Sequence, residues 1–129
     1  MGMTAVVSSI RGPMGSGKIV VDGTITLSGN YGTSGGALPH GDTLDLSQLG
    51  IPASSVPWKL VAWSTVSQGS APLYDFYHFN PGTTQANGVL QIIVGGAEMS
   101  PGSAYASTSP TNASGYVLNF QAEFLPAGI

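Results

Sequence analysis

Two segments alternate apolar and polar residues with period two, and this pattern constrains the fold more than any other feature of the chain. In Lys18–Ser28, Ile19, Val21, Ile25 and Leu27 share one face, with Gly23 between them, while Asp22, Thr24, Thr26 and Ser28 share the other. In Tyr116–Phe124, Tyr116, Leu118, Phe120, Ala122 and Phe124 alternate with Asn119, Gln121 and Glu123. Successive strand side chains point to opposite faces, so each segment reads as a strand with one face on a core and one toward solvent. Val89–Val94 repeats the theme, with Leu90, Ile92 and Val94 on one face.

The remaining elements follow from punctuation. Trp58–Val66 is apolar on both faces, which predicts a central strand, and Leu73–Asn80 is an aromatic-rich strand. Asn80-Pro81-Gly82 and Asn87-Gly88 are turn signals, the second leading into Val89–Val94. Between Gly29–Gly41 and Gly50 the chain predicts one short helical turn over Thr43–Leu49, with Asp42 as its N-cap and Asp45 in its first turn. About five strands and one such turn make an all-β chain, an antiparallel β-sandwich or barrel. Residues 1–17 read as a flexible N-terminal arm: Val6, Val7 and Ile10 offer a short strand, but the glycines and proline of 12–17 interrupt it. The domain proper then spans 18–129 and carries a long Gly/Ser-rich loop at 95–115, a length that is commonly functional.

Charge narrows the function. Three basic residues, Arg11, Lys18 and Lys59, stand against six acidic ones, too few to track a phosphate backbone, so no nucleic-acid partner is expected. Charged residues are 7% of the 129, against roughly 25% in an average domain. A monomer of 13.1 kDa exposes roughly 6,400 Å², about one charge per 700 Å² here. Interface cores are depleted of charge in this way, so the surface tilts toward a life in contact with other subunits. With no cysteine a disulfide framework and a thiolate metal site are excluded. No apolar run approaches the roughly 18–20 residues of a membrane span, and no leader is visible, so the expectation is a soluble product made in the cytoplasm with no membrane partner.

Several motifs look chemical and have plainer explanations. Gly12–Lys18 has the spacing of a phosphate loop, but Ile19 stands where a Ser or Thr must hold Mg²⁺, and a strand follows instead of a helix. Gly32-Thr33-Ser34-Gly35-Gly36 fits a serine-nucleophile elbow without the helix that elbow requires. Asp75 and His78 fall on opposite faces of one strand, and His40, Asp42 and Asp45 form an incomplete ligand set. Asn112-Ala113-Ser114 is a glycosylation sequon that needs a secretory route. No catalytic residue, metal ligand or cofactor is therefore assigned. The aromatics Tyr74, Phe76, Tyr77 and Phe79, with Trp58 and Trp63, suit either a core and subunit interface or a sugar-stacking platform.

The run Lys18–Leu27, then Gly29-Asn30-Tyr31, Gly35-Gly36, Asp42-Thr43-Leu44 and Leu49-Gly50-Ile51, resembles the small head proteins of tailed bacteriophages. Tyr77-His78-Phe79-Asn80-Pro81, Asn87-Gly88-Val89-Leu90 and the strand Tyr116–Phe124 continue the likeness, while residues 1–17 and 95–115 lie outside it. The resemblance implies a capsid decoration (cement) or other minor head protein with no catalytic residues, and the chain is then expected to form a homotrimer and to bind the major capsid protein on the outer surface of the virion. Its expected contacts are Val6, Val7, Ile10, Tyr74, Phe76, His78, Met99 and Tyr105. A carbohydrate-binding β-sandwich module of a phage fibre or tail is the alternative.

Overall fold

The computed structural model describes residues 2–15, 17–28, 31, 41–64, 76–94, 96–98 and 116–126. Eight strands run in chain order: β1 (Gly2–Arg11), β2 (Ile19–Ser28), β3 (Asp42–Leu44), β4 (Ser55–Ser64), β5 (Phe76–Asn80), β6 (Gly88–Val94), β7 (Ala97–Glu98) and β8 (Tyr116–Pro126). They form two antiparallel sheets, β1-β2-β8-β4 and β3-β6-β5, with β7 also paired to β6. The sheets are not closed on one another, so the architecture is a β-sandwich.

The alternating segments behave as their period dictates. Ile19, Val21, Ile25 and Leu27 of β2 and Leu118, Phe120, Ala122 and Phe124 of β8 are buried, and register pairs them face to face: Ile19 with Phe124, Val21 with Ala122, Ile25 with Leu118. Leu44, Leu90 and Ile92 close the core from the second sheet, with Tyr77 and Phe79 packed against it. Gly23 stands opposite Phe120. A Cβ on it would collide with the Val6 carbonyl and lie 2.8 Å from the Phe120 ring, so the close approach of β1, β2 and that ring requires glycine there.

Four expectations are corrected. Residues 2–11 are not a free arm but the ten-residue strand β1, paired with β2 from Gly2↔Ser28 to Arg11↔Val20. The Gly-rich joint of 12–17 permits this because it makes the tight reversal between the two strands, with Gly12 at φ 107° and Gly17 at φ 85° and the Met14 amide donating to the Lys18 carbonyl. The predicted helical turn over 43–49 is absent: Asp42–Leu44 is strand, paired with Gly88–Leu90. Asp42 is buried there and caps no helix, while Asp45 accepts from the Ser47 amide at 2.8 Å in a local turn. Strand β4 is an edge of its sheet and not central. Finally, Ala97–Glu98 folds back on β6 as β7, with Gly96 at φ 84° in the connection.

Two polar ties hold the connections. Gln85 is buried, and its Nε2 lies 2.7 Å from the Ser55 carbonyl, 2.8 Å from that of Pro52 and 3.4 Å from that of Ile51. Its own carbonyl accepts from the Leu46 amide. One residue of the β5–β6 connection thus fixes the path from β3 to β4. Tyr31, in the β2–β3 connection, is fully buried. Along one flank of β6, β3 ends opposite Leu90 and β7 begins opposite Ile93. Between them the Tyr31 hydroxyl accepts from the Ile92 amide at 3.2 Å and donates to Glu98 Oε2 at 2.6 Å. A side chain therefore satisfies the backbone where the ladder lacks a strand. Burial first, and then the Glu98 carboxylate beside it, push the ionisation of Tyr31 well above the ordinary tyrosine range.

Candidate functional site

Function is best sought on the outer faces and edges of the two sheets. Among the described residues no three His, Asp or Glu side chains gather to hold a metal ion, and no helix is long and apolar enough to cross a membrane. The phosphate-loop spacing at Gly12–Lys18 lies in the β1–β2 reversal and runs directly into strand β2, so no helix N-terminus faces it. Asp42 is buried and Asp45 exposed, so these two carboxylates do not converge. His40, Ser34 and Asp75 lie outside the described residues, as does the sequon at 112–114.

The outer face of the four-stranded sheet is the most informative surface. Its register places Asp22, Gln121 and Val61 in one row across β2, β8 and β4, and Thr24, Asn119 and Trp63 in the next. Polar groups at the centre are tied to each other. Arg11 pairs with Asp22 at 2.8 Å, Gln121 Nε2 donates to Asp22 Oδ1 at 2.9 Å, and Lys18 lies 3.8 Å from Glu123. Two of the chain's three cations are thus matched by carboxylates on the same face, which leaves it close to neutral. Such exposed pairs contribute little stability. Their consequence is that Lys59 is the one cation of this face with no carboxylate in ion-pair range among the described residues.

The β4 end of that face is apolar. The ladder with β8 slips between Pro57 and Lys59, and this bulge turns Trp58 outward beside Lys59. Trp58 is 48% exposed, Val61 51% and Trp63 47%, together on the order of 300 Å² of apolar surface along one strand. A two-sided apolar sequence normally means cover on both faces. Here Leu60 and Ala62 meet the core, while Trp58, Val61 and Trp63 are exposed, so no second cover lies on this face among the described residues.

The expected contact residues divide. Val6 and Ile10 are exposed. Val7 is half-buried against the core, because the register of β1 turns it inward with Met3 and Ala5. Phe76 and His78 point outward on β5, and the intervening Tyr77 and the following Phe79 point inward. The aromatic set is therefore split between core and surface and does not form one platform. Tyr74, Met99 and Tyr105 lie outside the described residues. The expected contacts omit Trp58, Val61 and Trp63. The signal for the last two is the odd-position spacing Lys59-Val61-Trp63 opposite the inward Leu60 and Ala62.

No protein-family pattern matches the chain, and no curated protein or solved structure matches it either.

Proposed function

We propose that the chain is a decoration (cement) protein of a tailed-bacteriophage head, which trimerises and binds the outer surface of the major capsid protein. The observation that carries this reading is the row Trp58, Val61 and Trp63, held in solvent on a sheet face where two of the three cations are paired with carboxylates and Lys59 stands beside the row. Such a row suits attachment by shape and apolar contact. Binding only the assembled lattice stabilises it by mass action, about 2.7 kcal/mol per site at a hundredfold excess over Kd. Many copies on one particle add avidity without any single tight contact. Its work is adhesion with no turnover, and it uses no cofactor, nucleic acid or membrane.

Both tryptophans of the chain lie in this row, so intrinsic fluorescence reports on it directly. Titrating the protein with particles that lack it should blue-shift the emission, and cryo-electron microscopy should add density to the outer shell. Unchanged density with unchanged emission would remove the reading. A second reading is favoured by one observation: Asn119 is the register partner of Trp63, and Gln121 of Val61. Amides beside exposed indoles suit a glycan, as on a module of a phage fibre or tail. Emission that shifts with soluble oligosaccharides and not with particles selects it.

A further inference from the structure

The two edges of the four-stranded sheet are treated differently by the sequence. An open edge presents unpaired N–H and C=O groups, and proteins that must avoid pairing interrupt it with proline, lysine or a bulge. Edge β4 carries all three devices within three residues: Pro57, the bulge at Trp58 and Lys59. Edge β1 carries neither proline nor any charge from Gly2 to Ile10, and its ladder with β2 slips once, between Val7 and Ser9. No described strand pairs with its far side. Val6, at its middle, is 55% exposed on the outer face. Among the described residues, the sheet is thus guarded at β4 by all three devices and at β1 by a single slip alone.

We infer that β1 is a pairing edge whose partner is the β1 strand of a second copy, the two sheets joining antiparallel about a two-fold axis at Val6. A strand that joins its own copy needs to be free of like charges across the axis, and β1 meets this condition. Its one charge, Arg11, lies at the far end and is already matched by Asp22, and antiparallel pairing sends the two arginines more than about 30 Å apart. Thr4, Val6 and Ser8 then face their counterparts on one surface, with small or β-branched side chains that suit cross-strand neighbours. An isologous contact of this kind closes on itself, so it yields a discrete pair and not a fibre. The contact is distinct from the Trp58, Val61 and Trp63 row proposed above for capsid attachment and is measured without any capsid.

The absence of cysteine makes the test direct. Val6→Cys provides one thiol beside the axis, and a short bifunctional maleimide should link it into a covalent dimer much faster than it links Ser54→Cys, an exposed loop position. In sedimentation, Val6→Lys and Val6→Glu should each weaken association at least tenfold, and mixing the two should restore it. Circular dichroism and urea midpoints identify any variant that fails to fold, and Thr4→Lys, also at an exposed position, then replaces it. Equal masses for wild type and Val6→Lys at every concentration would overturn the inference. So would equal cross-linking rates at positions 6 and 54, or association abolished by Trp63→Ser and untouched by Val6→Lys.

Discussion

Replacing Tyr31 by phenylalanine removes one oxygen atom from the interior and two hydrogen bonds with it. One runs to the Glu98 carboxylate at 2.6 Å, and the other satisfies the Ile92 amide where β6 lacks a strand. A hydrogen bond to a charged acceptor contributes about 1.5–3 kcal/mol, and a buried amide left without a partner costs about 1–3 kcal/mol. The two losses share one atom and do not add in full, so the expected destabilisation is about 2–4 kcal/mol. In urea, with a slope of roughly 2 kcal/mol/M for a chain of this size, the midpoint should fall by about 1–2 M at constant slope. The pH dependence gives a second signature. Tyrosine ionises near 10.0 when unfolded, and burial raises that value in the folded chain. A raised folded-state value means that the neutral hydroxyl's contribution is complete below about pH 10 and is lost as the pH climbs above it. The gap between wild type and Tyr31→Phe should therefore be constant through neutral pH and narrow in strong alkali. A midpoint within 0.2 M of wild type, or a gap indifferent to alkali, would refute the idea that this hydroxyl completes the ladder.

Three further outcomes are expected. Gln85→Ala should lower stability by about 2–4 kcal/mol in urea melts, because three carbonyls from Ile51, Pro52 and Ser55 lose their shared donor. Gly23→Ala should cost about 2–3 kcal/mol by forcing β1 and the Phe120 ring away from β2, and hydrogen exchange should show the largest loss of protection in β1. Trp63→Ser should change thermal stability little, since half of the ring is already in water, yet it should weaken attachment to particles at least tenfold in a co-sedimentation assay if the indole is an anchor.

How far the sequence reveals this molecule depends on where the pairing information resides. β2, β6 and β8 were legible because one face of each meets the core, so burial wrote itself into a two-residue period. β1 was not, because Val6 is apolar on its outer face and the slip between Val7 and Ser9 breaks the two-residue period, so its strand conformation shows only in its pairing with β2. β3 spans three residues, too few to show a period, and the acidic residues around it imitate a helix cap. β7 left a trace in the Gly95-Gly96 pair between Val94 and Ala97, a hairpin signal hidden inside a longer polar stretch. Strand β4 was recognised and its place misjudged for an instructive reason. Apolar residues on both faces imply two covers, and the described residues supply only one of them. The polar ties at Tyr31 and Gln85 have no local signature, since each reaches across 30 or more residues.

The order of strands in the larger sheet has a consequence for biosynthesis. β8 lies between β2 and β4, yet it emerges from the ribosome after both. Until its residues are free, β2 can hold only β1, and β4 has no neighbour in its sheet. A nascent chain halted before Tyr116 therefore displays two raw edges and half a hydrophobic interior at once, a state prone to sticking. Productive folding must begin with the sequence-local hairpins β1–β2 and β5–β6 and wait for the final segment to be threaded between strands already made. Translation speed and chaperone access over that last stretch are then the quantities that set the yield of usable protein.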